Sequence, residues 1–314
     1  MSKSYFISFG NGLFRNQLKR ISQEAKDTGW FDGVISETPE TISEFINEHK
    51  EVFSNARGFG FWIWKPYIIL RALEKMKEGD FIFYTDAGSR ILPHRESRFN
   101  EYKNIFLKDQ PIWGSGMNQR LRRFCKKSLF TRLGVDNNDE VMDSYMIEGG
   151  FVMARKCNES INFMKEWLSL CIEDNYKYLT DDLHTKQFPD FVSHRHDQSI
   201  FDCLIKINWY QWFDEDCYGI GPFFHSRLSD EGPRRFAPDW WRAEPDYVRS
   251  NHPYIEQWLA DKKDPLWWKK SFRYDPNAHF SAEDYVAYMH SIYTNGSRFD
   301  PDNVDYKHNR QNKW

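Results

Sequence analysis

Asp80-Phe81-Ile82-Phe83-Tyr84-Thr85-Asp86-Ala87-Gly88 is the stretch on which the reading of this chain turns. It begins as a short apolar run, the pattern of a strand buried on both faces, and ends in a carboxylate followed by two small residues. In open α/β sheets, ligands bind beyond the carboxyl ends of the strands, and Asp86 falls at that edge. A carboxylate there can ligate a divalent cation or hold a ribose hydroxyl. Ala87 and Gly88 leave room for a diphosphate to approach the backbone. The same letters also describe a plain Asp-Ala-Gly turn whose carboxylate bonds local N–H groups.

Outward from this strand the pattern alternates. Ser4–Ser8 reads as a strand, and Leu13, Phe14, Leu18, Ile21 and Ala25 recur at helical spacing before Gly29. Phe31–Ser36 reads as a second strand. Thr41–Lys50 reads as a helix, with Glu44 placed to close a capping box on Thr41. Arg57-Gly58-Phe59-Gly60 is a flexible elbow. It leads into a helix with Pro66 in its first turn and Ile68, Ile69, Ala72, Leu73 and Met76 as its buried stripe. Gly150–Ala154 continues as a strand, Ser160–Glu173 as a helix, and Gln198–Ile207 as a helix entered through His196-Asp197. Strand and helix in turn predict an α/β layer with a mostly parallel central sheet. Residues 1–228 form the core of this reading and 229–314 an aromatic-rich extension packed on it. Trp240-Trp241 and Trp267-Trp268 lie in that extension, with Ala282–Tyr293 as its most helical piece.

A formal net charge of -3 gives no general drive toward nucleic acid or an anionic membrane, though it permits a local basic groove such as Arg120, Arg122, Arg123, Lys126 and Lys127. The 5 cysteines show no C-x-x-C pair and no metal-ligand spacing, which fits free thiols in a reducing compartment. The apolar stretch at the N-terminus is too short for a signal peptide, and no run approaches the length of a membrane span. A cytoplasmic location is expected, at most peripheral to a membrane. Aromatic content is high at 18%, which suits either a ring-rich core or surfaces that stack on sugar rings.

Four further groups carry chemical potential. Lys65 opens a helix after Arg57-Gly58-Phe59-Gly60-Phe61-Trp62-Ile63-Trp64; an anion there would meet both its ammonium and free N–H groups. A solvated lysine beside packed tryptophans is the plainer alternative. Glu148-Gly149-Gly150 sets an acid before two glycines that admit a ligand to the backbone, or make a bulge. Asp197-Gln198 at a helix start can line a cleft, or simply cap the helix. His225, in Phe224-His225-Ser226-Arg227, is either a metal ligand or a structural histidine.

The ordered series Arg57–Pro66, Tyr84–Gly88, Glu148–Gly150 and His196–Ser199 resembles glycosyltransferases of the GT-A type, a Rossmann-like nucleotide-sugar-binding fold. The likeness is to small bacterial and large-virus polysaccharide-type sugar transferases, and more distantly to the glycogenin-like retaining enzymes. It covers about residues 4 to 228. The resemblance implies a hexosyl- or pentosyltransferase that uses a nucleotide-diphosphate donor, a UDP-sugar first of all. The acceptor it implies is a glycan or a lipid-linked or phosphorylated hydroxyl compound, with retention of configuration favoured. By the same resemblance Phe9, Gly10 and Arg15 sit by the nucleoside. Arg57, Lys65, Tyr84, Thr85, Asp86, Gly88, Gly149 and Gly150 bind the donor, and Asp197, Gln198 and Glu148 flank the anomeric centre. Asp86 and His225 would hold Mn²⁺ or Mg²⁺. The family signature is Asp-x-Asp, whereas this chain has Gly88 in the third place, so either the ion draws further ligands from the diphosphate or from another acid, or Lys65 and Arg side chains replace it, with a metal the favoured reading. Two other readings stand beside this one: a non-catalytic glycan-binding protein on the same fold, and a transferase that acts on modified nucleic-acid bases.

Overall fold

Side chains of alternate residues along a strand point to opposite faces, and here both faces are apolar. Ile82 and Tyr84 enter one core cluster with Ile7, Ile69 and Leu73, while Phe81 and Phe83 enter another with Phe6, Phe99 and Trp113. A sheet covered on both sides follows, which is why the run 80–84 carries no polar alternation. The computed structural model describes residues 2–210 apart from 184, together with 212, 221–225, 228–229 and 232–233. The expected 229–314 extension, with both tryptophan pairs and Ala282–Tyr293, lies outside the described residues but for 229 and 232–233.

Among the described residues the central sheet has five strands: β1 (Ser4–Phe9), β2 (Gly33–Glu37), β3 (Phe81–Thr85), β5 (Ile112–Trp113) and β8 (Phe151–Arg155). Their order across the sheet is β2-β1-β3-β8-β5. Strand β1 runs parallel to β2 and β3, with Ile7 opposite Ile35 and Tyr84. Strand β8 runs against both its neighbours, β3 and β5. The sheet is mostly parallel with one reversed strand, and the reversal brings the start of β8 to the end of β3, where Thr85 pairs with Phe151. Outside it, β4 (Arg90–Ile91) pairs with β9 (Phe223–Phe224), and β6 (Gly116–Arg120) with β7 (Tyr145–Ile147).

Helices close both faces. The helix Arg15–Asp27 buries Leu18, Ile21 and Ala25, the stripe expected from its spacing, and the turn at Gly29 has φ +67°. The helix Trp64–Lys75 buries Ile68, Ile69, Ala72 and Leu73 against the sheet. Full burial of each large aliphatic side chain among these contributes about 1.5–3 kcal/mol. The capping box lies earlier than expected. Thr41 closes a short 3₁₀ turn begun at Thr38, its Oγ1 accepting the Thr38 N–H at 2.9 Å, and the α-helix itself runs Ser43–Glu48. Many rings are core: Trp30 stacks on Phe99 with centroids 4.6 Å apart, and Phe83, Phe99, Phe151 and Phe223 pack in the same cluster. Cys125, Cys157, Cys171 and Cys203 are buried free thiols.

The elbow at 57–60 is one turn of left-handed helix. Gly58, Phe59, Gly60, Phe61 and Trp62 all have positive φ, between 51° and 79°. The Phe61 N–H bonds to the Arg57 carbonyl at 2.8 Å and the Trp62 N–H to that of Gly58 at 3.1 Å. For L-residues this conformation costs about 1–2 kcal/mol each, so surrounding contacts must hold it. Those contacts are rings: Phe59 packs on Phe53, and Phe61 on His196.

Candidate active site

The end of β3 opens into a cleft of about 560 Å³. Asp86 stands on its floor, a third exposed, with its N–H bonded to the Gly150 carbonyl at 3.0 Å. The Tyr84 hydroxyl donates to Asp86 Oδ1, and burial, followed by the charge of Asp86, drives the Tyr84 pKa far above the ordinary phenol value. Tyr84 is therefore a neutral donor that fixes one carboxylate oxygen and leaves Oδ2 facing the cleft.

Lys65 reaches the same point from the start of its helix. Its Nζ lies 2.8 Å from Asp197 Oδ2 and 4.0 Å from Asp86 Oδ1. Burial works against the ammonium, but the carboxylates of Asp197 and Asp86 outweigh it, and the net shift is upward. Burial dominates at Asp197 and raises its carboxyl to about 6 in spite of Lys65. Near neutral pH the two form an ion pair, both partners about 3% exposed. Asp197 sits in the first turn of the helix His196–Ile207, and its backbone carbonyl takes the Trp167 indole N–H at 3.0 Å.

The helix His196–Ile207 also holds the strand that leads to Glu148. Gln198 donates to the Ile147 carbonyl at 2.8 Å, and Asp202 accepts the Ile147 N–H at 3.1 Å. Lys206 pairs with Asp202 and donates to the Tyr145 carbonyl at 2.7 Å. Residues 198, 202 and 206 form one stripe at i, i+4, i+8, spent on fixing β7.

His225 is delivered by β9 and lies between two carboxylates. Its Nε2 is 4.0 Å from Asp86 Oδ2 and its Nδ1 3.9 Å from Glu148 Oε2. A neutral imidazole cannot donate from both nitrogens, so one carboxylate faces a lone pair unless a proton or a cation intervenes. The paired glycines serve this convergence. A Cβ on Gly150 would lie 2.2 Å from the His225 ring and 3.0 Å from Asp86 Oδ2, and one on Gly149 would lie 2.9 Å from Gln198 Cβ.

Of the residues singled out in the sequence, Phe9, Arg57, Lys65, Asp86, Gly88, Glu148, Gly149, Gly150, Asp197, Gln198 and His225 line this one cleft. Phe9 does so as part of a ring stack, centroids 4.0 Å from Trp64 and 6.1 Å from Phe59. Others support from behind. Thr85 ties β3 to Gly150 and Ser8, and Gly10 is packed against the Phe14 carbonyl, which a Cβ would approach to 2.6 Å. Arg15 is not among the lining residues; it pairs with Glu40 at the surface. The basic cluster is largely used internally: Arg122 pairs with Asp139 and Asp143, Arg120 bonds the Asp143 carbonyl, and Lys126 is buried on the Thr180 and Asp182 carbonyls. Among the described residues no group of three or more His, Cys, Asp or Glu side chains is arranged to hold a metal.

A comparison with solved structures aligns the chain with a glycosyltransferase involved in the glycosylation of the major capsid of PBCV-1. The identity is 12% and the TM-score 0.42, over 71% of this chain and 94% of that one. It also aligns with mouse xyloside xylosyltransferase 1 at 11% identity and a TM-score of 0.40, over 80% of this chain and 91% of the other. No family model matches the sequence, and no curated protein gives a significant match. At this distance the function rests on the chemistry of the cleft itself.

Asn11 and Phe14, within the first loop Phe9–Arg15 that the resemblance puts beside the nucleoside, also line the cleft, as do Trp62 and Arg195, which lie within or next to the sequence motifs but had no role of their own there. Ser193, also lining, and Arg20, which braces the Asp86 turn from outside, carry no local signal, because their places are set by long-range packing.

Proposed function

We propose that this chain is a GT-A-type glycosyltransferase that moves a sugar from a nucleotide-diphosphate donor, a UDP-sugar first of all, to a glycan, lipid-linked or phosphorylated acceptor. The observation that carries the reading is the meeting of Asp86, Lys65, Asp197, Glu148 and His225 in one cleft at the carboxyl end of a sheet strand. Breaking an anomeric C–O bond leaves negative charge on the departing diphosphate and positive character on the sugar ring. In this reading the Ala87-Gly88 backbone and the Lys65 ammonium meet the diphosphate. The nucleoside lies toward Phe9 and Asn11, and the ring faces Asp197, Gln198 and Glu148. Gln198 spends its N–H groups on Ile147 and Met117 and so offers Oε1 to the sugar.

Asp86 Oδ2 and His225 Nε2 fit a divalent cation as two of its ligands: they face each other at 4.0 Å, while Tyr84 and Lys65 both address the other oxygen of Asp86. A diphosphate would complete the set, and the ion would supply Lewis-acid stabilisation of the leaving group. His225 Nδ1 lies 3.9 Å from Glu148 Oε2, so a small closing of that gap would give the carboxylate–histidine contact usual for a ligating histidine. Retention is favoured, with Glu148 or Asp197 as the base if the reaction inverts instead.

No helix among the described residues is long and apolar enough to cross a membrane. The proposed setting is cytoplasmic, with any lipid-linked acceptor met at the membrane surface. The test is calorimetric titration with UDP, GDP and free monosaccharides. A transferase binds one nucleoside diphosphate; binding of sugars with indifference to nucleotides would point to a lectin on this fold instead.

A further inference from the structure

The turn that carries Asp86 is clamped from outside the cleft. Arg20, on the helix Arg15–Asp27, donates from Nη2 to the carbonyls of Ala87 at 2.9 Å and Ser89 at 2.6 Å. Its Nη1 bonds Glu24 Oε1 at 2.6 Å and its Nε bonds Gln17 Oε1 at 2.8 Å, so Gln17, Arg20 and Glu24 form one polar face of the helix. The other oxygen of Glu24 accepts the N–H of Ile91 at 3.0 Å. Ile91 belongs to β4, which pairs with β9, Ile91 opposite Phe223 and Arg90 opposite Phe224. The next residue is His225.

One Arg–Glu pair thus holds the turn that carries Asp86 and, through Ile91, the strand β4 against which the strand leading to His225 is paired. We infer that Arg20, locked by Glu24, is the positioning residue of the diphosphate end of the cleft, setting the Asp86–Ser89 turn and the β4–β9 strand pair in a fixed mutual register. The inference rests on the transferase reading above. Two features of the geometry support it beyond simple bracing. In a trans peptide the C=O and N–H point opposite ways, so tying the Ala87 carbonyl to Arg20 turns the Gly88 N–H away from Arg20. A guanidinium is also the side chain that can serve two carbonyls, a carboxylate and an amide at once in a rigid plane, which a lysine ammonium cannot do.

A positioning role and a merely structural one differ in what they disturb. The clamp bears on the diphosphate end, whereas the nucleoside end is built from Phe9, Trp64 and Phe59 on other segments. The experiment compares full-length wild type, Arg20→Lys and Glu24→Gln for affinity toward UDP, by calorimetry with Mn²⁺ present, and toward uridine, by ligand-observed NMR. Arg20→Lys is expected to weaken UDP about tenfold and leave uridine within about twofold, since a loss of that size matches one or two charge-assisted bonds. Glu24→Gln keeps one of the two bonds made by Glu24 and should weaken UDP about threefold with uridine again spared. If Arg20→Lys does not fold, the Glu24→Gln ratio decides alone. Unchanged UDP binding, or equal losses for UDP and uridine, would overturn the inference while leaving the transferase reading in place. Wild-type protein that binds neither UDP nor GDP would overturn both.

Discussion

At Asp86 the two carboxylate oxygens have different work: Oδ1 takes the Tyr84 hydroxyl and lies near Lys65, while Oδ2 faces His225. Asp86→Asn keeps an acceptor for Tyr84 and removes the charge. Turnover should fall about 100-fold or more, the scale of losing one preorganised electrostatic contact. Stability, followed by thermal melting, should move by no more than about 0.5 kcal/mol, because the residue is partly exposed on a turn. Asp197 gives a pH signature. Its carboxyl is raised to about 6 by burial, so below that pH it is neutral and cannot pair with Lys65. The kcat profile should rise through about pH 6 and level above it; a flat profile between pH 5 and 8 would remove Asp197 from the reaction. The sign for stability is opposite. A folded pKa above the free value means that the contribution of this group is full below about pH 4, where it is protonated in both states, and is lost as pH climbs through about 6.

At the scale of elements, two devices shape the cleft. In the left-handed turn Gly58 has φ +59°, and a Cβ there would lie 2.4 Å from the Trp62 ring. Gly58→Ala should cost about 1–2 kcal/mol in denaturant unfolding from the backbone alone, with displacement of Trp62 weakening nucleotide binding besides. The buried stripe on the helix His196–Ile207 is the second device. Lys206→Met leaves Asp202 buried without its partner and should destabilise the fold by about 3–5 kcal/mol, whereas adding Asp202→Asn should restore most of that. Much of this level was legible in the sequence, and the rest was not for definite reasons. The strand 80–84 and the stripe of the helix Trp64–Lys75 follow from burial periodicity, whereas the gathering of Lys65, Asp86, Asp197 and His225 was implied by the resemblance that the order of the motifs carries. Periodicity has no direction, so the reversal of β8 could not be read. Gly58 and Gly60 mark a break, but the positive φ of Phe59, Phe61 and Trp62 is held by rings of Phe53 and His196 far along the chain. Thr41 looks like a helix start until Thr38 is seen to begin the turn before it. Arg20 has carbonyls as partners, and backbone carries no residue-type signal.

For the whole molecule, the proposed nucleotide-diphosphate donor would lie along a cleft that runs from the Phe9–Trp64 ring stack past Asp86 to Asp197 and Glu148. Among the described residues many rings serve the core, with Trp30, Phe83, Phe99, Phe151 and Phe223 packed together on one face of the sheet. The cleft is lined by Lys65, Arg57 and Arg195 and by Asp86, Asp197 and Glu148, so its formal charges cancel, and in the proposed reading a divalent cation beside Asp86 and His225 would add the positive charge that a diphosphate calls for. EDTA should therefore suppress turnover, and Mn²⁺ or Mg²⁺ restore it, with melting of the free protein unaffected. The most direct measurement is slow donor hydrolysis: purified protein with a panel of UDP-, GDP- and CMP-sugars, nucleotide release followed over time, and Asp86→Asn run in parallel. The expected result is release from one donor class, a UDP-sugar first of all, and its loss in the variant. Release that persists undiminished in Asp86→Asn would contradict the placement of the site, and no release from any donor would contradict the transferase itself.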